Sequence, residues 1–332
     1  MNLLANKRLN LDIIDIISNL SIELQIKTFL VGGYVRDLIL SRQSKDIDVL
    51  VIGDGISFAK EVKKKLDTMV NLQIFKNFGT AMIIYDGFEI EFVGSRKESY
   101  QQSSRNPSVT IGTFEDDISR RDFTINSIAI SLNKNDKGKI IDLFGGLSDV
   151  KSGIIKTPKD PKITFYDDPL RMMRAVRFAS QLNFKIKDSN LEIIKNDRER
   201  INIISKERIN DELNKILLSP KPSIGFILLK KTGLLEIIIP ELIKLEGIDE
   251  IEGKSHKDNF YHTLQVLDNI CKNTDNLWLR WVALLHDIGK PKTKRYSKKK
   301  GWSFHGHEYV GSKMVFKIFK IEFIFVASQP MP

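Results

Sequence analysis

The sequence predicts an α+β protein in which a mixed β-sheet flanked by helices is followed by an all-helical region. Short apolar runs separated by Gly-Gly and Asp-Gly turns fill the first part of the chain, as in proteins that alternate strands and helices. From residue 167 onward, apolar residues recur at intervals of three and four, the period of an α-helix. All five histidines lie between residues 256 and 307 and mark a further region. We expect domains at 1–145, 146–245 and 246–332.

Composition narrows the class of protein. The chain has 332 residues, with 52 Lys and Arg against 42 Asp and Glu, and a net charge of +10. A basic protein of this kind favours a polyanionic partner such as nucleic acid. The single cysteine, Cys271, excludes internal disulfides and fits a reducing cytosol. Because no apolar run approaches the ~20 residues that span a bilayer, we expect a cytoplasmic protein without membrane association. Nothing in the sequence indicates a protein partner.

Local patterns assign the elements of the first region. A Gly-Gly turn joins a strand to a helix, and an Asp-Gly turn joins two strands of a hairpin. We interpret the polar segment 96–119 as a mobile loop. The predicted elements are helix 10–24, strand 28–31, helix 34–40, strand 46–52, helix 57–67, hairpin 81–95, helix 119–132 and strand 138–144.

Helical spacing continues through the second region, where Pro169 and Pro222 suit the first turns of helices. A basic loop follows at 290–301, and the stretch 315–332 does not continue the helical pattern, which suggests a truncated end. The predicted helices are 168–182, 190–201, 205–219 and 222–238.

Two carboxylates, Asp46 and Asp48, lie two residues apart in a predicted strand and therefore point to the same face. Like charges so close repel each other, and burial strengthens the repulsion. The compensating charge could be a metal, because hard divalent cations such as Mg²⁺ take carboxylate oxygens and support in-line nucleotidyl transfer. A solvated strand end is the plain alternative. Glu89 and Glu91 repeat the spacing in a later strand, so Glu91 could complete a trio of carboxylates.

Phosphate-binding groups flank these acids in the sequence. Gly32 and Gly33 stand between a strand and a helix, where backbone N–H groups can approach a triphosphate. The alternative is an ordinary turn, with Arg36 and Asp37 in a surface ion pair. Further on, the arginines of the Arg-Arg-Asp element at 120–122 suit phosphates, and its acid suits ribose hydroxyls.

Taken in order, these motifs closely resemble those of the class II tRNA nucleotidyltransferases, which include CCA-adding enzymes and bacterial poly(A) polymerases. The match runs over about residues 28 to 220 and includes "DLFGG" at 142–146, "DDPLRMMRAVRF" at 167–178 and "SKERINDELNKIL" at 205–217. The resemblance implies a nucleotidyltransferase head with catalytic carboxylates and Mg²⁺ at Asp46 and Asp48, and a helical neck. The strand spacing adds Glu91 as a candidate third catalytic acid. The nucleotide-binding residues that it implies are Gly32, Gly33, Arg36, Asp37, Arg120, Arg121, Asp122, Asn126, Asp167, Asp168, Arg171, Arg174 and Arg177.

The neck motif offers a way to select bases without a template. Asp168 and Arg171 are three residues apart at a helix start and share a face. An aspartate can accept from the exocyclic amine of cytosine or adenine while an arginine donates to the ring nitrogen. Uracil and guanine present a carbonyl in place of that amine, which leaves polar groups unpaired. The family usually has Glu at the position of Asp167.

The resemblance implies addition of CMP and AMP, from CTP and ATP, to the 3′ end of tRNA. Poly(A) polymerases of this class typically carry a Gly-Arg-Arg-Phe-Arg element soon after the paired carboxylates, and this sequence lacks it. Its absence favours CCA addition over poly(A) synthesis. Addition of CC alone or of A alone stays open. A non-catalytic RNA-binding protein would explain the charge but not the intact motifs.

The histidine-rich region resembles the HD phosphohydrolase domain that some bacterial members of this family carry. His262, His286, Asp287 and His307 could hold a transition metal ion. The HD pattern requires a further distal Asp, yet no Asp follows Asp287 in the sequence. We therefore expect a degenerate, structural HD domain, with a metal-dependent phosphohydrolase as the alternative of a different class.

Overall fold

The computed structural model describes residues 12–66, 70–76, 79–101 and 104–321. The chain divides into two compact units, Met1–Asp167 and Asp168–Pro332. The first unit contains the mixed sheet and the second is mainly helical, so the predicted α+β class is confirmed. No helix in these four ranges is long and apolar enough to cross a membrane.

A seven-stranded sheet forms the centre of the first unit. Its strands are β1 (Thr28–Val31), β2 (Asp46–Val51), β3 (Leu72–Phe75), β4 (Thr80–Tyr85), β5 (Phe88–Gly94), β8 (Ile128–Ser131) and β9 (Ile140–Asp142). They lie in the order β3-β4-β5-β2-β1-β8-β9. Strands β2 and β5 are parallel and the other neighbours are antiparallel. The carboxylate-bearing strands β2 and β5 are therefore direct neighbours near the middle of the sheet.

Apolar side chains explain why this sheet holds together. All four residues of β1 are buried, as expected of a strand covered on both faces. Helix α1 buries Ile13, Ile17 and Leu20, which recur at helical spacing. The helices of this unit are α1 (Asp12–Glu23), α2 (Gly32–Ile39), α3 (Gly55–Lys65), α4 (Phe114–Ser119), α5 (Gly146–Ser152) and α6 (Pro161–Asp167).

Two predictions for this unit are wrong. Segment 119–132 is not a helix: a 3-10 turn at Thr124–Asn126 leads into β8, which is fully buried and pairs with β1. A short apolar run does not distinguish a buried strand from a buried helix, and sheet pairing decides the outcome here. Segment 96–119 is not a plain loop either, because β6 (Arg96–Gln101) pairs with β7 (Ser104–Ile111) before α4 begins.

The Asp-Leu-Phe-Gly-Gly motif fixes the position of that 3-10 turn. The Asp142 carboxylate accepts hydrogen bonds from the backbone N–H groups of Gly146 at 2.8 Å and Leu147 at 2.9 Å, which satisfies the start of α5. A Cβ on Gly146 would lie 2.2 Å from the Thr124 carbonyl oxygen, so only glycine allows this approach. Helix α5 thereby holds the segment that carries the Arg-Arg-Asp element. The two-residue strand β10 (Ile154–Ile155) follows α5.

The second unit confirms the predicted helices, although Gly233, at φ +77°, splits the expected 222–238 helix into two. Its core includes Met172 and Val176 of α7 and Leu213 of α9, all fully buried. The helices are α7 (Leu170–Leu182), α8 (Asp188–Asn196), α9 (Lys206–Leu217), α10 (Pro222–Lys231), α11 (Leu234–Ile238), α12 (Pro240–Ile243), α13 (Asn259–Ile270), α14 (Leu277–Leu285), α15 (Lys290–Thr293) and α16 (His307–Ile321).

The sequence predicted an all-helical region here, but the second unit also contains strands. Short strands interrupt it at β11 (Lys185–Ile186), β12 (Glu250–Ile251), β13 (Lys254–Ser255), β14 (Arg295–Ser297) and β15 (Gly301–Ser303). The basic stretch 290–301 is therefore a helical turn followed by a hairpin rather than a loop. Helix α16 also continues through part of the stretch expected to be non-helical, and residues 322–332 lie outside the described ranges. The domain boundaries near 145 and 245 stay a prediction.

Candidate active site

Four carboxylates lie on one face of the parallel pair β2 and β5. The register places Asp46 opposite Glu89 and Asp48 opposite Glu91. Side chains at matching positions of neighbouring strands point to the same face, so the two spacings noticed in the sequence converge. Asp46 and Glu89 are exposed, whereas Asp48 and Glu91 are half-buried. The predicted catalytic residues Asp46, Asp48 and Glu91 thus share one surface of the sheet.

The electrostatics of this face would favour a bound cation. Burial, together with the charges of Glu91 and Asp46, raises the pKa of Asp48 to about 6, against the opposing effect of Arg121 and Arg36. A carboxyl with so high a pKa gains more from a bound divalent cation than a solvated one. Carboxylate oxygens are the donors that Mg²⁺ prefers, so the residues present fit this ion.

Gly32 is required at the start of α2 by the position of Asp48. Its backbone has φ +75°, and a Cβ there would lie 2.3 Å from the Asp48 Oδ2 atom and 3.3 Å from the Arg121 Nη1 atom. Any side chain would therefore displace the carboxylate. Gly33 has no such constraint, since its nearest neighbour would be Arg36 Nη2 at 3.5 Å. The Gly-Gly turn therefore makes room for the catalytic face, a role that sequence reasoning did not assign to it.

Asp117 is a site residue that the sequence analysis missed. Its side chain is fully buried and pairs with both Arg120 and Arg121, with the Arg121 Nη2 atom 3.0 Å from its Oδ2 atom. A single carboxylate thus orients two guanidinium groups and leaves one positive charge beside Asp48. The signal was present in the spacing, because Asp117 is in α4, three and four residues before the two arginines that directly follow this helix.

A second network joins Arg36, Asp37, Asp122 and Asn126. Arg36 donates two hydrogen bonds to Asp37, at 3.0 and 2.9 Å, and one to the Asn126 amide oxygen at 2.8 Å. The Asn126 amide nitrogen in turn donates to the Asp122 Oδ1 atom at 3.0 Å. Arg36 is buried, so its pair with Asp37 is not the surface ion pair of the plain alternative. Four predicted nucleotide-binding residues are therefore connected by hydrogen bonds.

The neck residues fall on both sides of the division between units. Asp167 ends α6 in the first unit. In the second, the Asp168 carboxylate accepts from the Leu170 backbone N–H at 3.1 Å, and Arg208 Nη2 lies 4.0 Å from its other oxygen. Arg171 is half-buried on the first turn of α7. Asp168 therefore acts at a helix start, as an acid there should.

Arg174 and Arg177 continue along α7, and both guanidinium groups lie near the Phe178 ring, at 5.4 and 4.3 Å. Arg177 is buried and donates to Glu212 at 3.0 Å, and Glu212 is buried as well. This ion pair links α7 to α9 inside the second unit. The assignment of Arg177 to a phosphate stays a prediction.

The histidine-rich region contains a compact cluster of metal-binding side chains. One ligand atom from each of His262, His286 and Asp287 lies within 4.8 Å of the others. The His286 Nδ1 atom lies 2.8 Å from the Ala283 carbonyl oxygen, a contact that leaves Nε2 facing Asp287. The His307 Nε2 atom is 3.6 Å from Asp287. These donors fit a transition metal ion.

An internal cation already lies beside this cluster. The Lys290 Nζ atom is 2.7 Å from the Asp287 Oδ2 atom. Burial opposes ionisation of Asp287, but hydrogen bonds from His286 and Lys290 outweigh it and lower the pKa of this carboxyl to about 2. The bond to Asp287 also raises the pKa of His286.

The sequence was compared with models of known protein families. Three family models match the chain in succession: the poly A polymerase head domain over residues 28–156, a probable RNA- and SrmB-binding site of polymerase A over 183–245, and the HD domain over 259–328. Along these three segments the chain resembles the family of CCA-adding enzymes and poly(A) polymerases. The resemblance predicted from the motifs is thereby confirmed.

Individual members of this family are similar over most of the chain. A CCA-adding enzyme of Lactobacillus helveticus is 38% identical over 270 residues, which is 80% of this chain and 62% of that enzyme. An A-adding tRNA nucleotidyltransferase of Geobacter sulfurreducens is 35% identical over 267 residues, 80% of this chain and 28% of that protein. The chain thus spans less than two thirds of the length of either curated relative.

Solved structures of the family have the same fold. A crystal structure of a tRNA nucleotidyltransferase complexed with a primer tRNA and an incoming ATP analog has a TM-score of 0.65 and 26% identity, covering 92% of this chain and 83% of that one. A structure of an apo tRNA-processing enzyme has a TM-score of 0.68 and covers 96% of this chain and 80% of that one, also at 26% identity. The family's head domain therefore accounts for the sheet, and its HD domain for the histidine-rich region.

Proposed function

We propose that the chain catalyses template-independent addition of CMP and AMP, from CTP and ATP, to the 3′ end of tRNA. The observation that carries this proposal is the face of β2 and β5, where Asp46, Asp48 and Glu91 lie together beside Arg121. Its similarity to CCA-adding enzymes over 80% of the chain supports the same conclusion.

Asp46, Asp48 and Glu91 would hold Mg²⁺ on this face. When bound, the ion supplies positive charge that stabilises the reacting phosphate and favours ionisation of the attacking 3′ hydroxyl. Asp48 is half-buried, and its carboxylate occupies the space that the missing Cβ of Gly32 leaves open. The chain's own contribution is therefore a preorganised set of oxygen ligands on a rigid sheet.

Arg120 and Arg121 would bind the triphosphate. Asp117 neutralises one of their two charges and orients both groups, so a net positive charge remains for phosphate oxygens. Asp122, held through Asn126 and Arg36, would accept a hydrogen bond from a ribose hydroxyl. Gly33 and Asp37 would complete the phosphate-binding turn around Arg36.

Asp168 and Arg171 would read the base, as the pattern of donors and acceptors on cytosine and adenine requires. Asp167 and Arg174 would support them. The predicted domains at 1–145, 146–245 and 246–332 would then divide the work into chemistry, nucleotide selection with RNA binding, and the HD region. The single cysteine and a tRNA substrate support the cytoplasmic location expected from the sequence.

Addition of A alone is the second candidate, because two similar relatives are named A-adding tRNA nucleotidyltransferases. Poly(A) synthesis is less favoured because the sequence lacks the Gly-Arg-Arg-Phe-Arg element that poly(A) polymerases of this class typically carry. The cluster of His262, His286 and Asp287 supports metal binding, and metal-dependent phosphohydrolysis is the candidate from a different class.

A single incorporation experiment separates these products. The purified chain is incubated with Mg²⁺, a tRNA transcript ending at the discriminator base, and labelled CTP and ATP singly and together, and products are resolved to single nucleotides. Addition of C, C and A that then stops is the expected result. If A is added only to a transcript that already ends in CC, the chain is an A-adding enzyme. Open-ended addition of A would identify a poly(A) polymerase. No incorporation into any transcript would contradict the proposal.

A further inference from the structure

The basic stretch that follows the histidine cluster forms a β-hairpin. Strands β14 and β15 pair in register, with Arg295 opposite Ser303 and Tyr296 opposite Trp302. Gly301 has φ +74°, and the Lys300 backbone N–H donates to the Ser297 hydroxyl at 3.2 Å, which closes the turn. The tip of this basic hairpin (residues 295–303) is therefore a run of three exposed lysines, 298–300.

A second hairpin, β12–β13, holds the basic hairpin in place. The Trp302 indole N–H donates to the Lys254 carbonyl oxygen at 2.8 Å, and the Tyr296 hydroxyl donates to Glu252 at 3.1 Å. The rings of Tyr296 and Trp302 lie 5.2 Å apart, and His256 packs edge-on against Trp302 at 5.2 Å. The aromatic face of the basic hairpin is thus occupied, and its lysine tip rests on a fixed base.

Acidic side chains neutralise only some of the cations in this region. Lys294 pairs with Asp249, Lys298 with Glu252 at 3.4 Å, and Lys290 with Asp287. Four further cations are exposed and form no ion pair or hydrogen bond through their side chains with any residue in the described ranges: Lys292, Arg295, Lys299 and Lys300.

We propose that the basic hairpin, through Arg295, Lys299 and Lys300, and with Lys292 of the preceding helix α15, binds the phosphate backbone of the RNA substrate. This inference rests on the proposed function, because that function supplies the polyanion. Uncompensated cations on a rigid, exposed element gain from phosphates by releasing counterions, without reading sequence. An RNA is favoured over a lipid surface because the tip has no apolar side chain to insert and its two large aromatic rings pack inward.

The test measures binding and its salt dependence. One variant replaces all four cations (Lys292→Gln, Arg295→Gln, Lys299→Gln, Lys300→Gln), and a matched control removes four positive charges from α3 (Lys60→Gln, Lys63→Gln, Lys64→Gln, Lys65→Gln). Fluorescence anisotropy follows a labelled tRNA transcript without its CCA end between about 50 and 200 mM KCl. Circular dichroism melts verify that all three proteins are folded.

The hairpin variant is expected to bind roughly tenfold more weakly, with a slope of log K against log salt reduced by about 0.9 per lost phosphate contact. The α3 control should change affinity less than about twofold. Equal losses in both variants would attribute binding to net charge and overturn the proposal, as would unchanged binding by the hairpin variant. Tighter binding of the wild type to phosphatidylserine vesicles than to tRNA would overturn it in favour of a membrane.

The same preparations distinguish this inference from the proposed function. A wild type that binds tRNA through the hairpin but incorporates no nucleotide would refute the function and keep the inference. If the wild type and the hairpin variant incorporate C and A equally and have equal KM for tRNA, the proposed function is kept and the inference about the hairpin is refuted.

Discussion

Two clusters of side chains in the described part of the chain could hold a metal ion, and their charges are balanced in opposite ways. On the sheet of the first unit, burial and neighbouring acids raise the pKa of Asp48 to about 6. In the histidine-rich cluster, hydrogen bonds from His286 and Lys290 lower the pKa of Asp287 to about 2 despite its burial. Burial and two neighbouring acids outweigh the arginines near Asp48, whereas His286 and Lys290 outweigh burial at Asp287.

The difference shows what each cluster has to gain from a metal ion. At the sheet, a divalent cation would offset the cost of burying the charge of Asp48 and its repulsion by Glu91 and Asp46. At Asp287 a metal must compete with the ammonium group of Lys290, 2.7 Å away. We therefore expect the ionised carboxylate of Asp48 to destabilise the metal-free protein, and the ionised carboxylate of Asp287 to stabilise it.

The largest expected effect is on turnover when the sheet cluster loses a ligand. Asp48→Asn removes a charge that Mg²⁺ needs and should lower nucleotide incorporation on the order of a thousandfold. At neutral pH and without metal, the same variant should be more stable by about 2 kcal/mol, because it removes a buried charge and, with it, the repulsion from Glu91 and Asp46. Single-turnover incorporation and thermal melts in EDTA measure the two effects.

His286→Ala is the control from the other cluster, and it should leave incorporation within about twofold of wild type. If Asp48→Asn retained more than a tenth of the activity, or if it were less stable than wild type without metal, the contrast between the two clusters would fail.

A second effect comes from the turn beneath Asp48. Gly32→Ala places a Cβ 2.3 Å from the carboxylate and forces φ +75° on a residue with a side chain. Displacement of a catalytic group by about 1 Å costs on the order of a hundredfold in rate, and the backbone strain costs about 1 kcal/mol of stability. Gly33→Ala is the matched control for stability, because its Cβ would meet only ordinary contacts. Equal melting temperatures for the two variants would contradict this explanation.

The sequence predicts those parts of the site that depend on contacts between residues close together in the chain, and it misses those that depend on distant residues. Asp46, Asp48 and Glu91 were predictable because period-two alternation puts them on one face, and only the pairing of β2 with β5 was missing. Asp117 was predictable in principle from its helical spacing to the arginines. The role of Gly32 was not, since it depends on a contact with a side chain 16 residues away that only the folded sheet creates.

The fold shows the same limit. Helices with long amphipathic patterns, such as α7 and α9, followed directly from spacing. Strand β8 did not, because a four-residue apolar run takes its conformation from the strand it pairs with. The strands β14 and β15 were hidden inside a lysine-rich stretch, where Tyr296 and Trp302 supply the only pattern and their pairing is a tertiary contact.

The third expected effect is a loss of stability at Asp287, opposite in sign to the gain expected for Asp48→Asn. Asp287→Asn leaves the Lys290 ammonium group without its anion in a largely buried position, so the protein should lose about 2–3 kcal/mol. Asp48→Asn makes the same chemical change at the sheet and should gain stability in EDTA. Denaturant melts of both variants at neutral pH compare them directly. A stabilised Asp287→Asn would mean that this carboxylate is also held against repulsion and that the two clusters are alike.

The smallest expected effect is the pH dependence of metal binding at the sheet. Because the folded pKa of Asp48 is raised to about 6, its contribution to stability is favourable below the ordinary pKa of an aspartate and is lost as the pH rises through 6. Metal affinity runs the opposite way: below 6 the carboxyl is protonated, so Mn²⁺ affinity should fall by up to about tenfold per pH unit. Titration calorimetry with Mn²⁺ between about pH 5 and pH 7.5 measures this affinity in the wild type, with Asp48→Asn as the reference.

The Asp287 carboxyl, with its pKa near 2, stays ionised throughout that pH range, so the pH dependence of any metal binding at the histidine cluster should follow only the histidines. A Mn²⁺ affinity that does not change across pH 6, or that changes equally in Asp48→Asn, would show that the raised pKa belongs to a carboxylate that binds no metal.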